Sequence, residues 1–274
     1  MKRITLLCCI LTAVGIYVLL YSGCSLDYAG GTGGGNPGTK VSIVADTGAE
    51  RSKDNREYDT PLPIQDESLV LYAHSAQIVV QRINFILDDS EKNDSLLSTY
   101  TGPLTILDDS VFLEGPFLFN ALNGSCEPPF DTVTLPEAKY KGLKLAILNN
   151  DSAFMEGYSI LFSGDFVLDD EKHNFSIKLS NEDDIKPFLL EGPPVLINED
   201  DSTEFRVTLN ANHWLDYMDL KVDYLDDGTI TFDPISGDLN IDKSVDANIY
   251  KDFNKAVRLN IMKSGSLQIL FHQF

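Results

Sequence analysis

The chain has 274 residues, enough for one large domain or two small ones, which excludes a mini-protein that depends on staples for its core. Its 43% hydrophobic and 23% charged residues are globular values. The 42 acids against 21 bases give a net charge of −21, and a chain with that field does not neutralise a run of phosphates, which argues against a nucleic-acid partner.

Lys2 and Arg3 precede an uncharged apolar run from Ile4 to Leu20, and Tyr21-Ser22-Gly23-Cys24 follows. This reads as an export signal. The run is short for a spanning helix, which needs roughly 20 residues, and long for a signal core of about 7–15, so its end decides between them. Small residues directly before Cys24 resemble the lipobox of bacterial lipoproteins, with Tyr21 where that pattern prefers an aliphatic residue. The resemblance implies that residues 1–23 are a cleaved signal peptide. Cys24 would then carry the lipid, palmitate included, as a diacylated N-terminus. The alternative is an uncleaved anchor; both expectations attach the chain to a membrane on its extracytoplasmic side, in a bacterial cell envelope. Cys8 and Cys9 leave with the signal, so Cys126 is the one thiol of the exported part and the core is expected to hold without a disulfide. Within Asn123-Gly124-Ser125-Cys126-Glu127-Pro128 no base is placed by sequence, and the thiol reads as lying in or under a loop.

Residues 24–60 are Gly-rich and then charged, the composition of a flexible tether of about thirty residues with a reach of about 30 Å. Gly33, Gly35 and Gly38 match a dinucleotide fingerprint by letter alone. Pro37 and the β-branched run Val41, Ile43 and Val44 give the wrong context for one.

From 61 to 274 the chain becomes an ectodomain of short runs rich in Val, Ile, Leu, Phe and Tyr with period-two alternation. Strands are expected near 69–73, 77–87, 111–120, 141–148, 158–168, 174–179, 186–190, 195–197 and 204–209. The run 77–87 is apolar enough on both faces to lie centrally. The helix-containing part covers about 210–274. Asn210 or Asn212 caps a short turn carrying His213, Trp214, Leu215 and Met218. Ser244 is the expected cap of a helix in which Val245, Ile249, Phe253 and Val257 recur at helical spacing. Between them two readings compete: Leu215, Met218, Val222 and Leu225 extend the first helix, or Leu220–Tyr224 and Ile230–Phe232 around Asp226-Asp227-Gly228 form a hairpin, which the Asp-Gly turn signal between two alternating runs favours; 266–271 reads as a closing strand. The fold class expected is mainly β, an antiparallel β-sandwich of immunoglobulin or transthyretin type with one or two short C-terminal helices.

The runs Gly115–Asn120, Val133–Leu145, Glu156–Gly164 and Phe205–Leu215 resemble uncharacterised bacterial lipoprotein domains with a β-sandwich ectodomain. The resemblance covers about residues 69–215. It implies fold and place, and brings no catalytic residues.

Acids cluster at 88–89, 108–109, 169–171, 182–184, 199–201 and 226–227, where turns are expected, and Asp stabilises turns by bonding its own backbone. Calcium is the candidate cofactor in two stretches. Asp223 and Asp227 keep the first and fifth positions of a calcium loop, with Leu225 at the third and Pro234 at the twelfth. Asp238, Asn240 and Asp242 alternate as oxygen ligands, with Lys243 where the turn glycine belongs. No Gly-x-Ser-x-Gly and no His-Glu-x-x-His is present, and sequence selects no carboxylate pair for a glycosidase. His213 beside the sole Trp214 reads as an aromatic anchor between a short helix and the sandwich. The functional expectation is a non-catalytic binding or structural module, with a polysaccharide or an envelope protein as partner. The alternatives are an anchored hydrolase using paired carboxylates and an accessory subunit of an envelope assembly.

Overall fold

The computed structural model describes residues 38–46, 61–65, 68–90, 104–107, 110–128, 133–150, 155–181, 187–198 and 201–271. The chain divides into two units, Met1–Gly33 and Gly34–Phe274, and every described element lies in the second. In chain order the strands are β1 (Thr39–Asp46), β2 (Leu62–Gln65), β3 (Val70–Leu87), β4 (Thr105–Leu107), β5 (Ser110–Asn120), β6 (Ser125–Glu127) and β7 (Ala138–Ile147). They continue with β8 (Ile160–Leu168), β9 (Glu171–Leu179), β10 (Phe188–Ile197), β11 (Thr203–Asn210), β12 (Leu239–Ile241) and β13 (Gly265–Phe271). A 3-10 turn at Ala211–His213, a π-helix at Leu220–Leu225 and one α-helix, α1 (Ala247–Lys263), complete the set.

The architecture is mainly β, in two sheets, as the alternation predicts. The larger sheet runs β10-β7-β3-β8-β9-β12. Its hub is β3, 18 residues long, which joins two expected strands into one. Along one edge β3 meets β2 and then β5; along the other it meets β8 and then β7. Register shifts at His74 and Gln81 let a single strand serve both halves. The smaller sheet is β1-β11-β13. Phe205 of β11 meets Phe85 of β3 edge-on at 5.2 Å and Tyr140 of β7 at 6.4 Å, which joins the inner faces of the two sheets in one core.

Four expectations are corrected. Thr39–Asp46, counted in the tether by composition, is a strand, and Val41, Ile43 and Ala45 are buried against β11. The β-branched run outweighs the glycines before it. The sheets are also mixed, because β1 runs parallel to β11 and β12 parallel to β9. Leu220–Leu225 is a π-helix and not one arm of a hairpin. Asp219 and Asp223 decide this by reciprocal capping: Asp219 Oδ1 accepts from the Val222 amide at 3.0 Å and Asp223 Oδ2 from the Asp219 amide at 3.1 Å. The cap of α1 is Asp246, whose carboxylate accepts from the Asn248 and Ile249 amides, two residues beyond Ser244.

One face of α1 is polar and yet buried. Tyr250, Asn254 and Arg258, at four-residue spacing, close on the end of β9. The Ser180 amide donates to Tyr250 Oη and Asn254 Oδ1, both at 3.1 Å. The Ser180 carbonyl accepts from Asn254 Nδ2 at 3.0 Å and Arg258 Nη1 at 2.7 Å. The backbone that leaves β9 is thereby satisfied by side chains of the helix.

Candidate functional site

The outward face of β3, β8 and β9 brings together Tyr72, His74, Asp165 and Lys172. His74 occupies the irregularity of β3 between Ala73 and Ser75, and its Nε2 lies 2.6 Å from Asp165 Oδ2 of β8. Lys172 Nζ of β9 approaches the same oxygen at 3.2 Å. The His74 contact first, and then Lys172, hold the Asp165 carboxyl below the usual aspartate range against the opposing effect of desolvation. Tyr72, directly across the ladder from Asp165, is 43% exposed on the same face. Gly164 allows this approach, since a Cβ there would collide with the Tyr72 carbonyl. The result is a firm platform with one aromatic ring beside an imidazole, a carboxylate and an ammonium.

The candidate calcium residues are occupied in other ways. Asp223 caps the π-helix, and Asp227 Oδ1 accepts from the Thr229 amide at 2.8 Å. Asp238 Oδ1 accepts from Asn174 Nδ2 at 3.0 Å, and Asp242 Oδ1 from the Ser244 amide at 2.8 Å. Asn240 is exposed on β12. Among the described residues no three His, Cys, Asp or Glu side chains gather where they could share an ion.

The described acid pairs Asp88-Asp89, Asp169-Asp170 and Asp226-Asp227 sit at turns. Asp88 accepts from the Ser90 amide and hydroxyl, and Asp233 from the Ile235 and Ser236 amides. Those bonds keep both carboxyls below the usual range, and the Ser68 hydroxyl and the Thr229 contacts do the same for Asp219 and Asp227. A glycosidase acid needs the opposite shift.

Cys126 lies in β6 paired with Phe119, and burial pushes its thiol up to about 12, so it is a poor nucleophile. Trp214 is 1% exposed and meets Phe162 edge-on at 5.6 Å, the anchoring role its neighbours suggest, while His213 Nδ1 turns outward to Asp216 at 2.9 Å. Cys24 lies outside the described residues, as do the acids at 108–109, 182–184 and 199–200. Sequence reasoning missed the Tyr72–His74–Asp165–Lys172 group, which is assembled from three strands. The one local sign was the polar alternation of Tyr72 and His74. Compared with protein-family models, curated proteins and solved structures, the chain matches none.

Proposed function

We propose that the chain is a lipid-anchored lipoprotein of the bacterial cell envelope whose β-rich unit is a non-catalytic binding module. Ser22-Gly23-Cys24 supports the anchor. The observation that carries the binding role is Tyr72, displayed on a central strand beside the His74–Asp165–Lys172 cluster. An exposed phenol offers a stacking surface for a sugar ring, and the neighbouring groups supply donors and acceptors for its hydroxyls, so a polysaccharide is the ligand class that suits this face. The downward shifts of Asp165 and of the turn aspartates favour binding over acid catalysis.

The test is thermal unfolding with a panel of envelope polysaccharides. A ligand at 100 times its Kd adds about 2.7 kcal/mol, roughly 5–10 °C for a domain of this size. Tyr72→Ala is expected to abolish that shift with little change in the unliganded protein. A panel without any shift, or a shift that survives Tyr72→Ala, contradicts the reading.

A further inference from the structure

We propose that β13 is an open edge that pairs with β13 of a second copy, joining two three-stranded sheets into one continuous sheet across a two-fold axis. β13 ends the smaller sheet, and among the described residues no further strand pairs with it. Its register with β11 runs unbroken from Thr203↔Phe271 to Leu209↔Gly265. One step further the Asn210 amide donates to the Ser264 carbonyl at 3.3 Å, which fixes the parity of the ladder. Even-numbered residues of β13 exchange hydrogen bonds with β11, and Gly265, Leu267, Ile269 and Phe271 turn their amides and carbonyls outward. An extended strand is the partner that supplies donors and acceptors at that spacing.

Other edges of the fold are blunted. β10 carries Pro193 and Pro194 and a register break between Glu191 and Val195. β2 has Pro63 within four residues, and β4, β6 and β12 have three residues each. The outer side of β1 is met by the Val133 and Ala121 carbonyls, which accept from the Thr39 and Ala45 amides. Gly265–Phe271 has seven residues with no proline, charge or bulge, the devices that keep an edge from pairing. Phe271 is 49% exposed, Ser266 and Gln268 are exposed, and Leu267, Ile269 and Leu270 are half-buried.

Charge and register select a second copy as the occupant. Two molecules with a net charge of −21 repel each other, so a contact between them needs a strand without carboxylates. β13 is such a strand, and in β11 beside it Glu204 and Arg206 neutralise each other at 2.9 Å. A basic strand, conversely, finds no carboxylate on this edge to pair with. A two-fold axis at Gln268 sets the whole strand opposite its copy: Gly265 faces Phe271, Leu267 faces Ile269 and Gln268 faces Gln268. The odd-numbered pairs are then the hydrogen-bonded ones, which uses the outward amides and carbonyls. Leu267 and Ile269 pack across the seam, and the two Gln268 amides, each both donor and acceptor, satisfy one another. Phe271 of the second copy lands beside the Phe188 ring, which packs against Gly265.

Disulfide trapping in the full chain, produced in a bacterial host and oxidised mildly before denaturing electrophoresis, tests this pairing. At the axis the two Gln268 Cα atoms stand about 4.5 Å apart, within disulfide reach. The two Ser266 positions are offset by four residues, about 13 Å along the strand, and are out of reach. Gln268→Cys is expected to give a covalent dimer. Ser266→Cys, also at an exposed position, and the unsubstituted chain are expected to run as monomers. Gln268→Lys sets two ammonium groups face to face, and is expected to convert the dimer to monomer in sedimentation of the detergent-solubilised chain without lowering Tm. Absence of the Gln268→Cys dimer, equal trapping of the two cysteine variants, or a dimer that persists in Gln268→Lys overturns the proposal.

Discussion

Asp169 and Asp170 hold the two central positions of the turn between the paired residues Leu168 and Glu171, with φ of 51° and 67°. Positive φ at both positions is the signature of a type I′ hairpin, which favours Asn and Gly. Asp170→Gly is expected to stabilise the fold by about 1 kcal/mol, about 2–4 °C in Tm. Equilibrium urea unfolding checks this, and an unchanged or lower midpoint would refute it. The acid pair was legible as a turn because Asp bonds its own backbone. Its hand was not, because Asp-Asp also suits ordinary turns. Trp214 was legible as an anchor from its apolar neighbours Leu215 and Met218. The site was hardest to see: Tyr72, His74, Asp165 and Lys172 are separated by up to a hundred positions, and only the register of β3, β8 and β9 unites them.

Among the elements, α1 is docked by hydrogen bonds as well as by apolar contact. Asn254→Ala removes one acceptor and one donor from the Ser180 backbone and is expected to cost about 2 kcal/mol, roughly 6 °C. Asn248→Ala, on an exposed position of the same helix, serves as the control and should change Tm little. Equal effects of the two would remove the docking role. Helical spacing of Ile249, Phe253 and Val257 revealed the helix. The Tyr250–Asn254–Arg258 stripe escaped notice, because sequence does not show that the end of β9 covers it. β1 was hidden by its glycine-rich approach, although Val41, Ile43 and Val44 carried the strand signal. The π-helix was hidden by an alternation that fits either structure, and the Asp219–Asp223 spacing was the clue that favoured a helix.

For the whole molecule, charge sets the response to pH and salt. Between the isoelectric point near 4.3 and pH 7 the chain accumulates its net charge of −21, and self-repulsion grows. Below about pH 4 a different effect takes over. Hydrogen bonds hold the carboxyls of Asp88, Asp165, Asp219, Asp227 and Asp233 below the usual aspartate range in the folded state, so the unfolded chain takes up protons first. Their contribution is present above the unfolded value and is lost as pH falls through the folded values. Stability is therefore expected to peak at about pH 5, and added sodium chloride should raise Tm at pH 7 more than at pH 5. A Tm that climbs steadily from pH 5 to 8, or that ignores salt at pH 7, would contradict this.

The central claim is the anchor, and mass spectrometry of the N-terminal peptide of the full chain, purified from a bacterial host, tests it most directly. The account predicts a peptide that begins at Cys24 and carries diacylglycerol. A chain that retains residues 1–23, or that begins elsewhere with Cys24 unmodified, would contradict it.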